Sequence, residues 1–585
     1  MKVVLTTLNA KFIHSSMALK YLEAACRPIC PRIISKEYTI NNELLTILSD
    51  IYKEQPVIVG MACYIWNVDM TLKLVDLLKK VLPKVVIVLG GPEVTYDPAD
   101  IMKQHSSVDY VVQGEGEESL QALLIALRSN SPVNGIAGLT FRQDTIIVTG
   151  EPQIVPDLNT IPFPYCDEDI DKLKDKIIYY ESARGCPFSC SYCLSGATCG
   201  VRFFSLDRVY KDLQFFITHN VRQVKFVDRT FNARKEHYLP ILRFLAKSDC
   251  LTNFHFEIAA DILDDEVVEF LKEVPVGRFQ FEIGIQSTCE QTLDKISRHN
   301  NWLKIVDYVT KIISYQNIHV HLDLIVGLPQ ESYERFGQSF NDVYQLEPHM
   351  LQIGFLKMLK GAAIRADGEK YNYIFLDYAP YEVLANNCLT YGDVRKLKIL
   401  EDVFNQVYNT GRFVHTLQFL ITLHGCGAFK FYHDLVTYWE EHELHLVAHS
   451  SKSLYKYLVD FCQVYHTQEV GIIQEFLKFD ALMSEKGTVR PENLSWNKEI
   501  WAKEKGAFWS SQEKVRNYLP HYTFTNWRDV NKKHHIEVFS IDIPQYFQSG
   551  TIVPIETPIL FSYVQEPTTY QSLASHYFWP EREGN

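Results

Sequence analysis

The sequence predicts an α/β protein in three parts: an N-terminal doubly wound parallel sheet, a central series of six β/α repeats, and a mainly helical C-terminal domain. Strand-like apolar runs alternate with helical stretches over residues 1–130 and again over 177–365, which is the pattern of βαβ units. Helical stretches dominate residues 366–585. A chain of 585 residues is also too long for one hydrophobic core.

Composition excludes several classes of protein. The formal net charge is −13 and no block of Lys and Arg stands out, so a nucleic acid is not the expected partner. The segment Met1–Thr7 reads as a strand rather than a signal peptide, and nowhere do about 18 apolar residues run uninterrupted. Thirteen scattered cysteines do not form the pattern of a secreted disulfide scaffold. We therefore expect a cytoplasmic protein without a membrane span.

In residues 1–130, ligand-binding residues are expected at the carboxyl ends of the predicted strands, where doubly wound sheets bind their ligands. The predicted strands are Val3–Thr7, Val57–Tyr64, Val85–Gly91 and Tyr110–Gln113, and the predicted helices are Ser16–Ala25, Asp69–Val81 and Glu117–Arg128. The candidates at the strand ends are Asn9, His14, Ser15, Ser16, Cys63, Tyr64, Trp66, Gly90, Gly91, Pro92, Glu93, Gln113, Gly114, Glu115, Gly116 and Glu117. No G-x-G-x-x-G or Walker sequence is present, so neither a dinucleotide nor a P-loop nucleotide is expected.

Residues 131–176 are predicted to form a hairpin and a linker. Gly138–Phe141 and Thr145–Gly150 flank a short polar turn, as in a hairpin. The prolines that follow favour an extended connector, because each fixes φ and removes a backbone donor. They are Pro152, Pro156, Pro162 and Pro164. We place the boundary between the first two domains here.

The central repeats, residues 177–365, are predicted to place their functional residues at the carboxyl ends of the strands. The predicted strands are Ile177–Ser182, Gln223–Asp228, Phe254–Ala259, Arg278–Ile285, His319–Gly327 and Leu351–Leu356. The helices between them are predicted at Leu206–Thr218, Pro240–Ala246, Asp264–Val274, Trp302–Tyr315 and Tyr333–Leu346.

Three cysteines follow the first of these strands at a C-x3-C-x2-C spacing: Cys186, Cys190 and Cys193. Thiolates this close in a loop suit an iron–sulfur cluster or zinc. A four-iron cluster held by three cysteines keeps one iron open for an outside ligand. A structural zinc site usually has a fourth Cys or His, for which Cys199 is the nearby candidate.

This spacing, with Tyr192 before the last cysteine, resembles the signature of radical S-adenosylmethionine (SAM) enzymes. The resemblance implies a [4Fe–4S] cluster on the three cysteines and SAM chelated by the open iron. It also implies an open partial (β/α)6 barrel for residues 177–365. An electron from an external donor of the flavodoxin or ferredoxin type would cleave SAM to a 5′-deoxyadenosyl radical.

Several strand ends are similar to the branch of coproporphyrinogen oxidases and methylthiotransferases, namely Phe226–Phe231, Glu282–Ser287 and Asp323–Pro329. By this resemblance Gln286 and Asp323 would bind the SAM ribose, and Arg298 would pair with the SAM carboxylate. The SAM contacts expected on this basis are Tyr192, Asp228, Glu257, Glu282, Gln286, Arg298 and Asp323. One departure is Ala259, which stands where related enzymes commonly have an arginine.

The first domain resembles the cobalamin-binding domain of the cobalamin-dependent subclass, on the stretches Asn9–Ser16, Leu89–Glu93 and Asp109–Glu117. The resemblance implies that all sixteen strand-end candidates of this domain contact cobalamin. Related domains bind cobalt through the His of a D-x-H-x-x-G loop, but here Phe12 replaces the Asp beside His14. Without the acid that orients the imidazole, we expect His14 to support the corrin edge or nearby backbone. The lower face of cobalt would then fall to Tyr64 to Trp66.

Residues 366–585 resemble the uncharacterised extension of some cobalamin radical SAM proteins, and we expect them to cap the barrel and shape a substrate pocket. His442 and His445 are one residue too close for an H-E-x-x-H zinc helix, so a metal is not expected there.

The leading hypothesis is a cobalamin-dependent radical SAM methyltransferase that acts on an unactivated carbon of an unknown substrate. One alternative is a cobalamin-dependent rearrangement or cyclisation without methyl transfer. Another is a cobalamin-binding regulator with a vestigial core. A methylthiotransferase is disfavoured, because residues 1–130 lack the three-cysteine pattern of that family's N-terminal domain.

Overall fold

The computed structural model describes residues 1–144, 146–197, 200–496, 500–522, 526–564 and 567–579. The chain divides into two compact units, Met1–Val394 and Arg395–Asn585. Both predicted sheets lie in the first unit. Cys199, the candidate fourth zinc ligand, lies outside the described residues.

The first sheet is parallel over its first five strands and has the order β2-β1-β3-β4-β5-β6-β7. Its strands are β1 Val3–Asn9, β2 Ile33–Thr39, β3 Ile58–Ala62, β4 Val86–Gly90, β5 Tyr110–Val112, β6 Leu139–Gln143 and β7 Ile146–Thr149. The helices are α1 Met17–Cys26, α2 Leu44–Lys53, α3 Val68–Val81, α4 Pro92–Thr95, α5 Pro98–Gln104 and α6 Gly116–Ser129. Two buried clusters cover this sheet, one with Leu74 and Leu78 of α3, the other with Leu120 and Leu124 of α6. The doubly wound prediction is confirmed, although β2 and α2 were not predicted.

The hairpin β6–β7 extends the first sheet instead of belonging to the connector. β6 pairs antiparallel with β5, and the Gln113 side chain donates to Thr140 Oγ1 at 3.0 Å. The first sheet therefore extends to Thr149, beyond residue 130, where the predicted cobalamin-binding domain ends. Thr145, predicted within the hairpin, lies outside the described residues. The connector is also not extended throughout, because it holds α7 (Asp167–Lys172), whose N-terminus is capped by Asp169.

The central domain is a parallel sheet in the order β15-β14-β13-β12-β11-β8, with β8 and β15 as its edges. Its strands, with the antiparallel pair β9–β10, are β8 Ile178–Tyr180, β9 Ala183–Cys186, β10 Gly200–Phe203, β11 Gln223–Phe226, β12 Asn253–Ile258, β13 Phe279–Gln286, β14 His319–Val326 and β15 Met350–Phe355. The helices are α8 Leu206–Thr218, α9 Lys235–Lys247, α10 Asp265–Leu271, α11 Glu290–Lys295, α12 Trp302–Ser314 and α13 Tyr333–Tyr344. The predicted partial (β/α)6 barrel is confirmed, and all six of its predicted strands are present.

The segment after the barrel packs on the barrel. It contains α14 (Ala363–Ala366), β16 (Ile374–Phe375) and β17 (Val383–Ala385). Tyr373 donates its hydroxyl to the Gly327 carbonyl at 2.8 Å and shares a buried cluster with Leu328. Residues 366–394, predicted as part of the C-terminal domain, thus complete the first compact unit because their tyrosines bury apolar surface on the barrel.

The second unit is mainly helical, as predicted, and also holds a small antiparallel sheet of order β18-β19-β20. Its helices are α15 Tyr391–Val407, α16 Val414–His424, α17 Ala428–Glu441, α18 Ser451–Tyr465, α19 Val470–Met483, α20 Ala502–Ser510, α21 Gln512–Tyr518, α22 Trp527–Lys533, α23 Ile543–Ser549 and α24 Ser575–Phe578. Its strands are β18 His534–Phe539, β19 Thr557–Ser562 and β20 Thr569–Ser572. Across the parts of the chain that the structure describes, in either unit, no helix has the length and apolar character that crossing a membrane requires.

Candidate functional site

The cysteine loop begins where β9 ends at Cys186, and a tight strand pair fixes its start. Gly185 has φ +109°, and a Cβ there would lie 2.2 Å from the Gly200 carbonyl oxygen of β10, so only glycine fits. The loop is held to the barrel by a hydrogen bond of 2.9 Å from Ser191 N to the Ile296 carbonyl. The three cysteines are thereby directed to one cavity.

That cavity, of about 200 Å³, brings the cysteines together with most of the predicted SAM contacts. The predicted residues that line it are Cys186, Cys190, Tyr192, Cys193, Glu257, Glu282, Gln286, Arg298 and Asp323. Glu257 and Gln286 lie at or next to the carboxyl ends of β12 and β13, as expected for a barrel site, whereas Glu282 and Asp323 lie within β13 and β14. The structure therefore collects on one surface residues that are up to 137 positions apart, from Cys186 to Asp323.

The donor set suits an iron–sulfur cluster. Each thiolate that holds such a cluster binds a different iron, so three cysteines of one loop can hold three irons. The three cysteines need only line the same cavity, which they do.

Two buried oxygens in this cavity fit a polar ligand. Oε1 of Gln286 and Oδ1 of Asp323 have no hydrogen-bond partner among the described residues. Burial raises the pKa of Asp323 well above its usual range, with further upward contributions from Glu282 and Glu257. Because a buried polar atom without a partner costs free energy, these atoms suit the hydroxyl groups of a ribose.

Arg298 places a cation beside the cysteine loop. Its Nη1 lies 3.7 Å from Cys190 Sγ and 3.5 Å from the Tyr192 hydroxyl, and its Nη2 donates to the Gly284 carbonyl. Gly284 itself is constrained, since a Cβ there would lie 2.2 Å from Nε2 of Gln286. The position suits a guanidinium that pairs with a ligand carboxylate near the cluster.

Glu282 is already bound by protein groups. Lys225 Nζ and His255 Nε2 each lie 2.9 Å from Glu282 Oε2. Although burial opposes ionisation, the nearby His255 imidazole and the charge of Lys225 lower the Glu282 pKa to about 2. Glu257, 3.8 Å from Lys225, has a pKa raised by burial. Glu257 is therefore the more available of these two carboxylates.

Asp228, the remaining predicted SAM contact, does not line this cavity. Its carboxylate is buried and accepts hydrogen bonds from Ser182 N at 2.9 Å and Ser182 Oγ at 2.8 Å. Burial raises its pKa to about 7. The Asp228 side chain thus contacts Ser182, just after β8, and does not face the cavity. It links the end of β11 to the segment that enters the cysteine loop.

A second cavity, of about 390 Å³, is lined mostly by the first domain and also by Glu181, Arg184 and Arg229 of the central domain. The predicted cobalamin contacts that line it are Tyr64, Gly90, Gly91, Gly114, Glu115, Gly116 and Glu117. Leu5, Gly60 and Val88 form one row across β1, β3 and β4, and all three line the cavity. A Cβ at Gly60 would lie 2.7 Å from Leu5 Cδ2, so a larger residue there would displace the Leu5 side chain. The apolar walls of the cavity fit a large, partly apolar ligand.

His14 and its neighbours lie beside this cavity without lining it. His14 Nδ1 is 2.7 Å from the Tyr179 hydroxyl, and Ser15 Oγ donates to the Ile177 carbonyl at 2.7 Å. Asn9 donates to the His14 carbonyl at 3.1 Å, and Ser16 caps α1. These hydrogen bonds hold the loop in place and join it to the region of β8. The polar groups of the loop are therefore bound to other residues of the protein and not directed into the cavity.

Five other predicted cobalamin contacts also have structural partners. Trp66 stacks on Tyr64 with ring centroids 4.6 Å apart, and Gln113 is bound to the hairpin. Cys63 is fully buried, so its thiol pKa is raised to about 12. Pro92 opens α4, and buried Glu93 accepts a hydrogen bond of 2.9 Å from the Tyr381 hydroxyl. The structure keeps them outside the cavity lining.

Arg184 is a site residue that the sequence did not reveal. Its guanidinium lies 2.5 Å from Glu181, 2.9 Å from Glu117 and 3.5 Å from Glu115. Arg202 of β10 also binds Glu115. The pairs with Glu115 and Glu117 join β9, which ends at Cys186, and its partner β10 to the first domain. The sequence feature that could have identified Arg184 is its position two residues before Cys186.

Arg229 was also missed, and it lines both cavities. It follows Asp228 at the end of β11, within a stretch that the sequence comparison had singled out. The cavity of the cysteines and the cavity of the first domain therefore meet at this side chain.

Three family models match the chain. Residues 3–124 match the B12 binding domain and residues 180–343 match the Radical SAM superfamily. Residues 369–561 match a protein of unknown function (DUF4080), which begins close to the boundary predicted at residue 366.

Curated relatives are similar over part of their length. The 2-(S-pantetheinyl)-carbapenam-3-carboxylate methyltransferase of Streptantibioticus cattleyicolor is 29% identical over 314 residues, which are 50% of this chain and 46% of that protein. The cobalamin-dependent radical SAM methyltransferase TokK of Streptomyces tokunonensis is 26% identical over 315 residues, again 50% of this chain and 46% of that protein. The chain thus spans less than half the length of these two relatives.

Among solved structures, the chain is similar to the cobalamin-dependent S-adenosylmethionine radical enzyme OxsB with aqua-cobalamin and S-adenosylmethionine bound. The TM-score is 0.59 at 13% identity, and the match covers 84% of this chain and 82% of that one. At this identity the likeness shows the fold.

Proposed function

We propose that this chain, a radical SAM protein that carries a B12-binding domain and an uncharacterised C-terminal domain, is a cobalamin-dependent methyltransferase acting on an unactivated carbon. The observation that carries the proposal is the meeting of two cavities at Arg229, one lined by the three cysteines and one in the B12-binding domain. A substrate placed there would reach both cofactors at once. Such placement is the main contribution that a protein makes to this kind of chemistry.

When bound, the cluster with SAM supplies a carbon-centred radical, and cobalamin supplies a methyl group. The residues of the chain bind and orient. Gln286 and Asp323 offer unpaired buried oxygens to the ribose hydroxyls of SAM, and Arg298 offers a cation to its carboxylate. Leu5, Gly60 and Val88 offer an apolar wall to part of the cobalamin.

The segment after the barrel limits the access of water. Tyr381 reaches from this segment to buried Glu93 of the first domain, and Ile364 N donates to the Ser191 carbonyl of the cysteine loop at 2.9 Å. The segment thus contacts both cofactor-binding parts of the unit. Exclusion of water protects a reactive intermediate from side reactions.

The proposed partners are the substrate and an external electron donor of the flavodoxin or ferredoxin type. The proposed compartment is the cytoplasm, because three cluster thiolates and thirteen cysteines in all suit a reducing environment.

The test is anaerobic reconstitution with iron, sulfide and cobalamin, followed by incubation of a cell extract with SAM that carries a deuterated methyl group. We expect a product that carries the deuterated methyl, together with 5′-deoxyadenosine, and neither from the Cys186→Ala/Cys190→Ala/Cys193→Ala variant. A new product without the label would instead favour rearrangement or cyclisation. A reconstituted protein that does not cleave SAM would be a regulator with a vestigial core.

A further inference from the structure

We infer that Arg229 binds an anionic group of the substrate, a carboxylate or a phosphate, in the space between the two cofactor cavities. This inference rests on the proposed function and deepens it, since it assigns a chemical class to the substrate. Three observations carry it: the position of the Arg229 side chain, the fixed backbone of Arg229, and the hydrogen-bond donors that its guanidinium leaves unused.

The position is the junction of the two cavities. Arg229 lies at the carboxyl end of β11, and its exposed side chain contributes to the lining of both. Burial raises the pKa of Tyr64 in the first cavity and of Glu257 in the second, and the positive charge of Arg229 opposes both shifts. The guanidinium is therefore close enough to both cavities for its charge to act in each of them.

The backbone of Arg229 is fixed by its neighbours in the chain. On one side, Asp228 is buried and held by two hydrogen bonds from Ser182. On the other side, Thr230 donates to the Arg229 carbonyl at 2.8 Å, and its hydroxyl lies 3.5 Å from Cys186 Sγ. The backbone of Arg229 is thus fixed relative to the cysteine loop, as a residue that orients a ligand requires.

The bonding state separates Arg229 from the other arginines of these cavities. Arg184 is bound by three carboxylates, and Arg298 donates to the Gly284 carbonyl. The Arg229 guanidinium makes no hydrogen bond or ion pair with any residue that the structure describes. A planar cation with free donors pairs well with a carboxylate or phosphate, often through two hydrogen bonds. Since Arg298 already lies beside the cysteines, where the carboxylate of SAM is expected, we assign to Arg229 an anion of the substrate; unchanged cobalamin content in an Arg229 variant separates this from a contact with the cobalamin phosphate.

The experiment uses the reconstituted full-length protein, deuterated SAM and a cell extract separated by anion exchange. The fraction that yields deuterated product should be one that the exchanger retains. Treating that fraction with phosphatase distinguishes a phosphate, and amidation with carbodiimide distinguishes a carboxylate; one of the two should abolish the product. The same fraction should protect Arg229 from phenylglyoxal, as measured by peptide mass spectrometry without turnover.

Arg229→Gln should lower kcat/KM for the retained fraction roughly 10- to 100-fold, the usual worth of a hydrogen-bonded charge, while iron and cobalamin contents stay unchanged. Arg229→Lys should recover part of the loss. The matched control is Arg222→Gln, an exposed arginine just before the start of the same strand, and it should behave as the wild type.

Three outcomes would overturn the inference while the methyltransferase proposal stands. They are an active fraction that the exchanger does not retain, an active fraction that neither phosphatase nor carbodiimide affects, and an Arg229→Gln variant as active as Arg222→Gln. If no fraction yields deuterated product, the proposed function itself fails.

Discussion

Arg184 Nη2 lies 2.9 Å from Glu117 Oε1, and this ion pair joins the strand that ends at Cys186 to the first turn of α6 in the B12-binding domain. Glu181 completes the cluster and is buried. The two cofactor-binding domains are therefore held together by a compact set of charges two residues away from the first cluster cysteine. Removing Arg184 would leave Glu117 and Glu181 without their cation, whereas Arg202 would still pair with Glu115.

We predict that Arg184→Gln lowers the free energy of unfolding by about 3–5 kcal/mol, the cost of leaving buried charges without a partner. The control is Lys103→Gln, which removes an exposed pair with Asp100 and should change stability by less than about 0.5 kcal/mol. Urea unfolding of both variants checks this. Equal stability of the two variants would mean that the charge cluster does not hold the domains together.

The same variant should lose more stability at high pH. Burial already raises the pKa of Glu181 above its ordinary value, and Arg184 opposes that rise. Without Arg184 the folded state holds a proton that the unfolded state releases, so the stability of Arg184→Gln should fall further below wild type as the pH rises from 5 to 8. If the stability difference between Arg184→Gln and the wild type became smaller over this pH range, the raised pKa of Glu181 in the variant would be contradicted.

Asp228 gives a second pH prediction. Its pKa is raised to about 7 by burial, so its carboxyl stabilises the fold when protonated and loses this contribution as the pH rises from about 4 to about 7. Asp228→Asn should flatten this part of the stability profile, as measured by the thermal midpoint at each pH. An unchanged profile would show that Asp228 is ionised in the folded protein.

Gly60→Val should weaken cobalamin binding at least about tenfold, because the added side chain would displace Leu5, and both residues line the cavity. Cobalamin absorbance after gel filtration measures the effect, and iron content shows whether the barrel is intact. The control is Gly471→Ala, where nothing lies within 4 Å of the new Cβ. Full cobalamin retention in Gly60→Val would place the cofactor elsewhere.

His14 should not be a cobalt ligand, because its ring is bonded to Tyr179 and does not line the cavity. Electron paramagnetic resonance of the cob(II)alamin form should show no nitrogen splitting from the lower face, and His14→Ala should leave the spectrum unchanged. Splitting that disappears in His14→Ala would make His14 the axial ligand.

Much of the fold could be predicted because its strands have recognisable apolar patterns. Strands of the first sheet such as β3 and β4 are nearly continuous apolar runs. Barrel strands such as β13 and β14 instead alternate apolar and polar residues. β2 was missed because Ser35, Lys36 and Glu37 interrupt its apolar pattern, as is usual in an edge strand. The hairpin was recognised from its local sequence, but its pairing with β5 depends on contacts that the local sequence does not contain.

The candidate site was predictable where a residue type and a strand end coincide, as for Gln286 and Asp323, which line the cavity. It was not predictable where tertiary contacts decide which way a side chain points. Asp228 and Arg229 are adjacent at one strand end, yet the first is buried against Ser182 and the second faces both cavities. Arg184 is defined by carboxylates from two distant segments, which no local pattern indicates.

The central claim, that both cofactors face one substrate space at Arg229, is tested most directly by electron paramagnetic resonance of the reconstituted protein with cob(II)alamin and a reduced [4Fe–4S] cluster. The two paramagnetic centres should show a mutual magnetic coupling that disappears in the Cys186→Ala/Cys190→Ala/Cys193→Ala variant. Two independent, uncoupled signals from the fully loaded wild-type protein would contradict the claim.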